Sequence, residues 1–98
     1  MRVLWTDAAI SQLQAIHDFI GQTSPEYALR IVDRLTKRSL QIVSFPHSGP
    51  TVPEYELDDS RQIVEGSYRI IHLIDEANNR IEVLAVIHSA RERLHLLE

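Results

Sequence analysis

Two side chains able to do chemistry stand near the first and the last residues of a stretch that reads as one β-hairpin. Arg69 lies in the run Tyr68-Arg69-Ile70-Ile71-His72-Leu73-Ile74-Asp75, and His88 closes the run Arg80-Ile81-Glu82-Val83-Leu84-Ala85-Val86-Ile87-His88. A guanidinium is a permanent cation with a fork of donors for an anion, and an imidazole changes charge near neutral pH. Whether the two cooperate depends on register. Both runs are rich in β-branched residues, and Asn78-Asn79 between them tolerates the left-handed backbone of a tight turn. A two-residue turn there sets Leu73 against Leu84, Ile71 against Val86 and Arg69 against His88. A four-residue loop, 76–79, sets Asp75 against Arg80 and leaves Arg69 diagonal to His88. The shorter turn also opposes Asp75 and Glu82, a like-charge pair, which favours the longer loop. Strand side chains alternate with period two, so either even-length loop predicts Arg69 and His88 on one face.

The rest of the chain must position that hairpin. Residues 2–5 read as a short opening strand. Thr6 then occupies a helix-cap position, with Asp7 near the positive end of the helix. Ile10, Leu13, Ile16, His17 and Ile20 recur at helical spacing, and Gly21 offers the backbone freedom to end the helix. Ser24-Pro25-Glu26 is a second start signal, a capping serine followed by proline at the first helical position. The second stripe is Ala28, Ile31, Val32, Leu35 and Ile42, and Pro46 stops it. The short Gln22-Thr23 link implies an antiparallel helical hairpin. Residues 45–60 hold three prolines and a glycine and read as a loop. Residues 61–65 read as a strand turning at Gly66-Ser67 into Tyr68, and residues 90–97 as a short terminal helix. The predicted fold is α+β: an N-terminal strand and a helical hairpin packed on a three- to four-stranded, mainly antiparallel sheet. The more apolar face, Ile70, Ile74, Ile81, Val83, Ala85 and Ile87, should lie under the helices. The opposite face, with Arg69, Ile71, Leu73, Leu84, Val86 and His88, is apolar at its centre and polar at one end, as a binding surface is.

Ninety-eight residues with 44% hydrophobic content fit a single domain, 1–98, with one core. Without cysteine there is neither a disulfide framework nor a thiolate metal site, and a reducing cytoplasmic setting is compatible. No run approaches the ~18 apolar residues of a membrane span, and the amino terminus has no secretion pattern. A net charge of −4 lacks the global attraction to phosphate of a dedicated nucleic-acid binder. His17, His47, His72, His88 and His95 show no metal-ligand spacing, and the three glycines are too scattered for a nucleotide loop, so no metal and no cofactor are expected.

The order of elements, with Ser24-Pro25, Val52-Pro53-Glu54, Arg61, Tyr68-Arg69-Ile70-Ile71 and His88-Ser89-Ala90-Arg91, resembles the RelE/ParE superfamily of toxins over nearly the whole chain. The resemblance implies a toxin encoded beside a cognate antitoxin that wraps and neutralises it, in a hetero-oligomer or alongside a homodimer. The strip Ile71, Leu73, Leu84 and Val86 would suit that antitoxin. RelE-like members cut messenger RNA on the ribosome, whereas ParE-like members poison DNA gyrase without known hydrolysis. On the ribonuclease branch, Arg69 would stabilise phosphate charge and His88 transfer a proton. Arg61 or Arg91 would hold the backbone, and Glu65 is a candidate base. Ser89 stands where many such nucleases place an aromatic or second basic residue, and the acidic charge is unusual for a ribosome binder. The long capped helices and the Val-Pro-Glu loop look closer to ParE-like sequences, so the gyrase branch is preferred. A member that has lost toxicity and kept only binding is a third reading.

Each of these residues also has a plainer role. Arg69 reads equally as a cross-strand ion-pair partner, with Glu65 or Asp75 as its counter-charge. His88 reads as a hydrogen-bonded strand-end histidine, and Arg91 and Arg93 as decoration of the last helix. Tyr68, a candidate for target contact, reads first as packing area against the helices. Leu94, Leu96 and Leu97 form an apolar surface that could pack on the body, pair with a second copy or touch the target.

Overall fold

The computed structural model describes residues 1–55 and 57–89. The elements follow in the order β1 (Arg2–Trp5), α1 (Asp7–Gly21), α2 (Pro25–Gln41), a 3-10 turn (Ile42–Ser44), β2 (Ser60–Glu65), β3 (Tyr68–Asp75) and β4 (Arg80–His88). They make one four-stranded sheet in the order β1-β4-β3-β2, antiparallel except that β1 runs parallel to β4. The expected terminal helix, and Arg91 with it, lie outside the described residues.

Both helices start where the cap residues dictate. Thr6 Oγ1 accepts from the Ala9 amide at 3.1 Å and donates to the Val83 carbonyl at 3.0 Å, so one hydroxyl caps α1 and ties it to β4. Ser24 Oγ accepts from the Tyr27 amide at 3.2 Å, with Pro25 in the first turn. Gly21 does not adopt the expected left-handed backbone. The helix closes instead through the Gln22 amide on the Asp18 carbonyl and the Thr23 and Ser24 amides on the Ile20 carbonyl. On α1, Ala9 is buried and Leu13, Ile16 and Ile20 pack on the core, while Ile10 stays 41% exposed. On α2 the buried stripe is Ala28, Ile31, Leu35 and Ser39. Ser39 replaces Val32 from the expected set: its hydroxyl donates to the Thr36 carbonyl and accepts from Trp5 Nε1, which joins α2 to β1.

The β3–β4 hairpin takes the longer loop, with Asp75 opposite Arg80 and Asn79 at φ 51°. Arg80 then bridges Asp75 and Glu82, so the two carboxylates share a cation instead of opposing each other. The expected faces hold along β3 and along β4 as far as Val83. Between Ile71 and His72 the register shifts, because His72 pairs with Val83 and Ile71 with Ala85, which leaves Leu84 as the extra residue of a β-bulge. Beyond the bulge every side chain of β4 changes face. Val86 therefore joins Ile70, Ile81 and Val83 under the helices. Ala85 and Ile87, expected in that core, pack with Ile71 against Val52 on the far side of the sheet.

What holds the bulge is a side chain from α1. Gln12 Oε1 accepts from the Val86 amide at 2.8 Å, where β1 has already turned away from β4 and left that edge without a strand neighbour among the described residues. Thr6 meets the same stretch through the Val83 and Leu84 carbonyls.

Candidate functional site

The bulge decides the fate of the Arg69–His88 pair. Tyr68 pairs with His88 and Arg69 with Ile87, so Arg69 and His88 lie on opposite faces of the sheet, contrary to the expectation from even loop length. His88 stacks edge-on against Tyr68, with ring centroids 5.4 Å apart. Arg69 is turned to the far face and engaged there. Its Nη2 donates to Glu54 Oε2 at 2.8 Å and its Nη1 to Gln62 Oε1 at 2.7 Å. The pair is mostly shielded from water, with the two side chains 17% and 26% exposed. The counter-charge is thus Glu54, from the loop 45–59, and neither Glu65 nor Asp75. Glu54 lies fifteen residues away in a segment with no regular pattern, so only the Val-Pro-Glu motif hinted at it.

The other candidates are also accounted for. Arg61 points its guanidinium into the chain's own backbone, donating to the carbonyls of Asp58 (2.9 Å), His47 (3.0 Å) and Gly49 (3.1 Å). It pins the long loop and does not stand ready for a phosphate. Glu65 meets Arg34 at 3.1 Å and Arg38 at 3.9 Å from α2, so its carboxylate is engaged by the helix on that side of the sheet. The four residues expected as one exposed apolar strip are split. Ile71 and Val86 are buried on opposite faces, and Leu73 and Leu84 are half-buried. The bulge and the covering Val52 cause this split.

Sequence reasoning missed His72, which is fully buried. Its Nε2–H donates to the Pro46 carbonyl at 3.0 Å, and Nδ1 has no partner among the described residues. Burial pushes its pKa below 6.5, the ordinary histidine value. The Pro46 carbonyl opposes that shift, while Arg61 and His47 add to it. The loop it holds is close-packed as well. A Cβ on Gly49 would lie 2.1 Å from the Gln62 carbonyl oxygen, so only glycine lets the loop approach β2 this closely.

His88, Tyr68 and Val86 instead line an apolar groove of about 510 Å³ with Ile16, Phe19 and Tyr27. A smaller cleft of about 140 Å³, lined by Arg34, Glu65 and the Gly66-Ser67 turn, adjoins it at Tyr27, Tyr68 and His88. An aromatic-lined groove beside the Arg34–Glu65 ion pair suits recognition of an apolar side chain.

Residues 3–93 match the family described as the ParE toxin of type II toxin–antitoxin systems, parDE. The chain belongs to this family. The toxin RelE2 of Caulobacter vibrioides is 32% identical over 92 residues, which cover 92% of this chain and 97% of that protein. Solved structures share the fold. A chain of the chromosomal ParDE system from P. aeruginosa superposes with a TM-score of 0.73 at 21% identity, over 90% of this chain and 95% of that one. A chain of the toxin–antitoxin complex RelBE2 from Mycobacterium tuberculosis reaches 0.63 at 22% identity, over 89% and 88%. The isolated E. coli RelE toxin reaches 0.67 at 13% identity, over 93% and 86%. The protein is thus a toxin-family member of RelE/ParE-like fold, and none of its described helices is long and apolar enough to cross a membrane.

Proposed function

We propose that this chain is the toxin of a type II pair, that it inhibits DNA gyrase by binding rather than by hydrolysis, and that a cognate antitoxin holds it inactive. The observation that carries the reading is the division of Arg69 from His88. Cleavage of RNA needs a base, an acid and positive charge gathered around one phosphate. Here Arg69 is engaged by Glu54 and Gln62 on one face of the sheet and His88 stacks on Tyr68 on the other. The net charge of −4 agrees, since a protein target does not require the cationic surface that phosphate does. Membership in the ParE toxin family adds support from an independent direction.

For the antitoxin we assign the groove floored by Val86 and walled by Phe19, Tyr27 and Tyr68, in place of the strip that the bulge divides. An amphipathic segment laid along it would use one apolar face, as helix-in-groove complexes do.

Expressing the chain without its neighbour tests the reading. Arrested cells should show gyrase-linked DNA breaks and intact messages by primer extension. Codon-phased cuts in translated messages would overturn it and make the chain a ribosome-dependent ribonuclease.

A further inference from the structure

The segment after α2 carries the most exposed large apolar side chain among the described residues, Phe45, at 74%. An exposed Phe on a floppy loop would mean little. This one sits on backbone that is held almost carbonyl by carbonyl. Phe45 itself donates to Ile42 and accepts from the Ser48 amide. The Pro46 carbonyl accepts from buried His72, the His47 and Gly49 carbonyls from Arg61, and the Pro50 carbonyl from the Gln62 amide. Arg61 also holds the Asp58 carbonyl, so it brings the stretch around 57–59 beside the stretch around 46–49. That second stretch adds Leu57, 55% exposed, and the exposed carboxylates of Asp58 and Asp59.

A rigid platform presenting an aromatic ring loses little entropy when the ring is captured, which is how anchor residues of protein interfaces work. The acidic flank excludes a phosphate backbone as the occupant. We propose that the Phe45–Leu57 corner docks the toxin on its protein target, at an apolar pocket rimmed by lysine or arginine, with Asp58 and Asp59 facing that rim. The proposal rests on the reading of the chain as a toxin that acts by binding a protein, and it adds the surface and the partner's chemistry. The corner is distinct from the Val86 groove, so target and antitoxin would be read by different surfaces.

The test compares wild type, Phe45→Ala and the double variant Asp58→Lys/Asp59→Lys. For each, the cellular protein level that halves growth, the melting temperature and inhibition of purified gyrase are measured. Phe45 is so exposed that its removal leaves melting unchanged within a few degrees. Both variants should need about tenfold more protein, or beyond, to halve growth. Growth arrest at wild-type levels by both would overturn the docking surface. Arrest that weakens in both variants while wild type leaves gyrase untouched would overturn the gyrase reading and uphold the docking surface. A wild-type chain that arrests nothing would sink both.

Discussion

Replacing Arg69 with Ala should lower stability substantially while leaving the groove side of the sheet intact. The magnitude follows from the surroundings. Exposed ion pairs contribute only ~0–1 kcal/mol, whereas breaking a fully buried pair costs ~3–5 kcal/mol because a charge is left without its partner. Arg69 and Glu54 lie between these limits, 17% and 26% exposed, and Arg69 loses a second bond to Gln62 at 2.7 Å. A cost of about 2–3 kcal/mol is expected, equivalent to a fall of roughly 10–20 °C in melting temperature for a domain of this size. Much of it should be specific to the pair. Thermal melts of wild type, Arg69→Ala, Glu54→Gln and the double variant give the coupling directly, and we expect about 1–2 kcal/mol. The result that refutes this reasoning is a coupling near zero, or an Arg69→Ala protein that melts with wild type. The first would mean that Glu54 does not hold Arg69, and the second that neither Glu54 nor Gln62 does.

Three further outcomes follow from the same geometry. Gly49→Ala drives a methyl group to 2.1 Å from the Gln62 carbonyl oxygen, and should cost about 2 kcal/mol or more in urea unfolding with faster proteolysis of the loop. Gln12→Ala leaves the Val86 amide unpaired at the bulge. A loss of about 1–3 kcal/mol is expected, with hydrogen exchange quickened at Val86 before the rest of β4. His72 gives a pH dependence whose sign is fixed. Its folded pKa lies below 6.5, so the unfolded chain takes up the proton first, and stability is full above pH 6.5 and declines as pH falls below it. Urea midpoints from pH 7.5 to 5 should drop for wild type and flatten for His72→Gln. A wild-type midpoint that rises on acidification would contradict the buried neutral histidine.

What could be read from the sequence was whatever is decided locally. Thr6 and Ser24-Pro25 start the helices because a cap needs only its own three or four neighbours. The Asp75–Arg80 register was legible because the alternative opposed Asp75 to Glu82. The bulge was not, since it answers to Gln12, 74 residues from Val86, and to the point where β1 leaves the sheet. That one residue of slip moved Val86 and His88 under the helices and Ala85 and Ile87 out, so the candidate pair and the candidate strip fell together. The loop 45–59 was rightly read as irregular, but its work is done by long-range partners: Val52 covers Ile71, Glu54 holds Arg69, and Pro46 satisfies His72. Turn-forming residues announce such a loop and do not tell where it lands.

The central claim, inhibition by binding, is tested most directly by titrating the purified chain into a supercoiling reaction with purified gyrase and relaxed plasmid. The account predicts dose-dependent loss of supercoiling. It also predicts that Arg69→Lys, which keeps a cation opposite Glu54, inhibits as well as wild type. Undiminished supercoiling at a large excess of folded protein would contradict it.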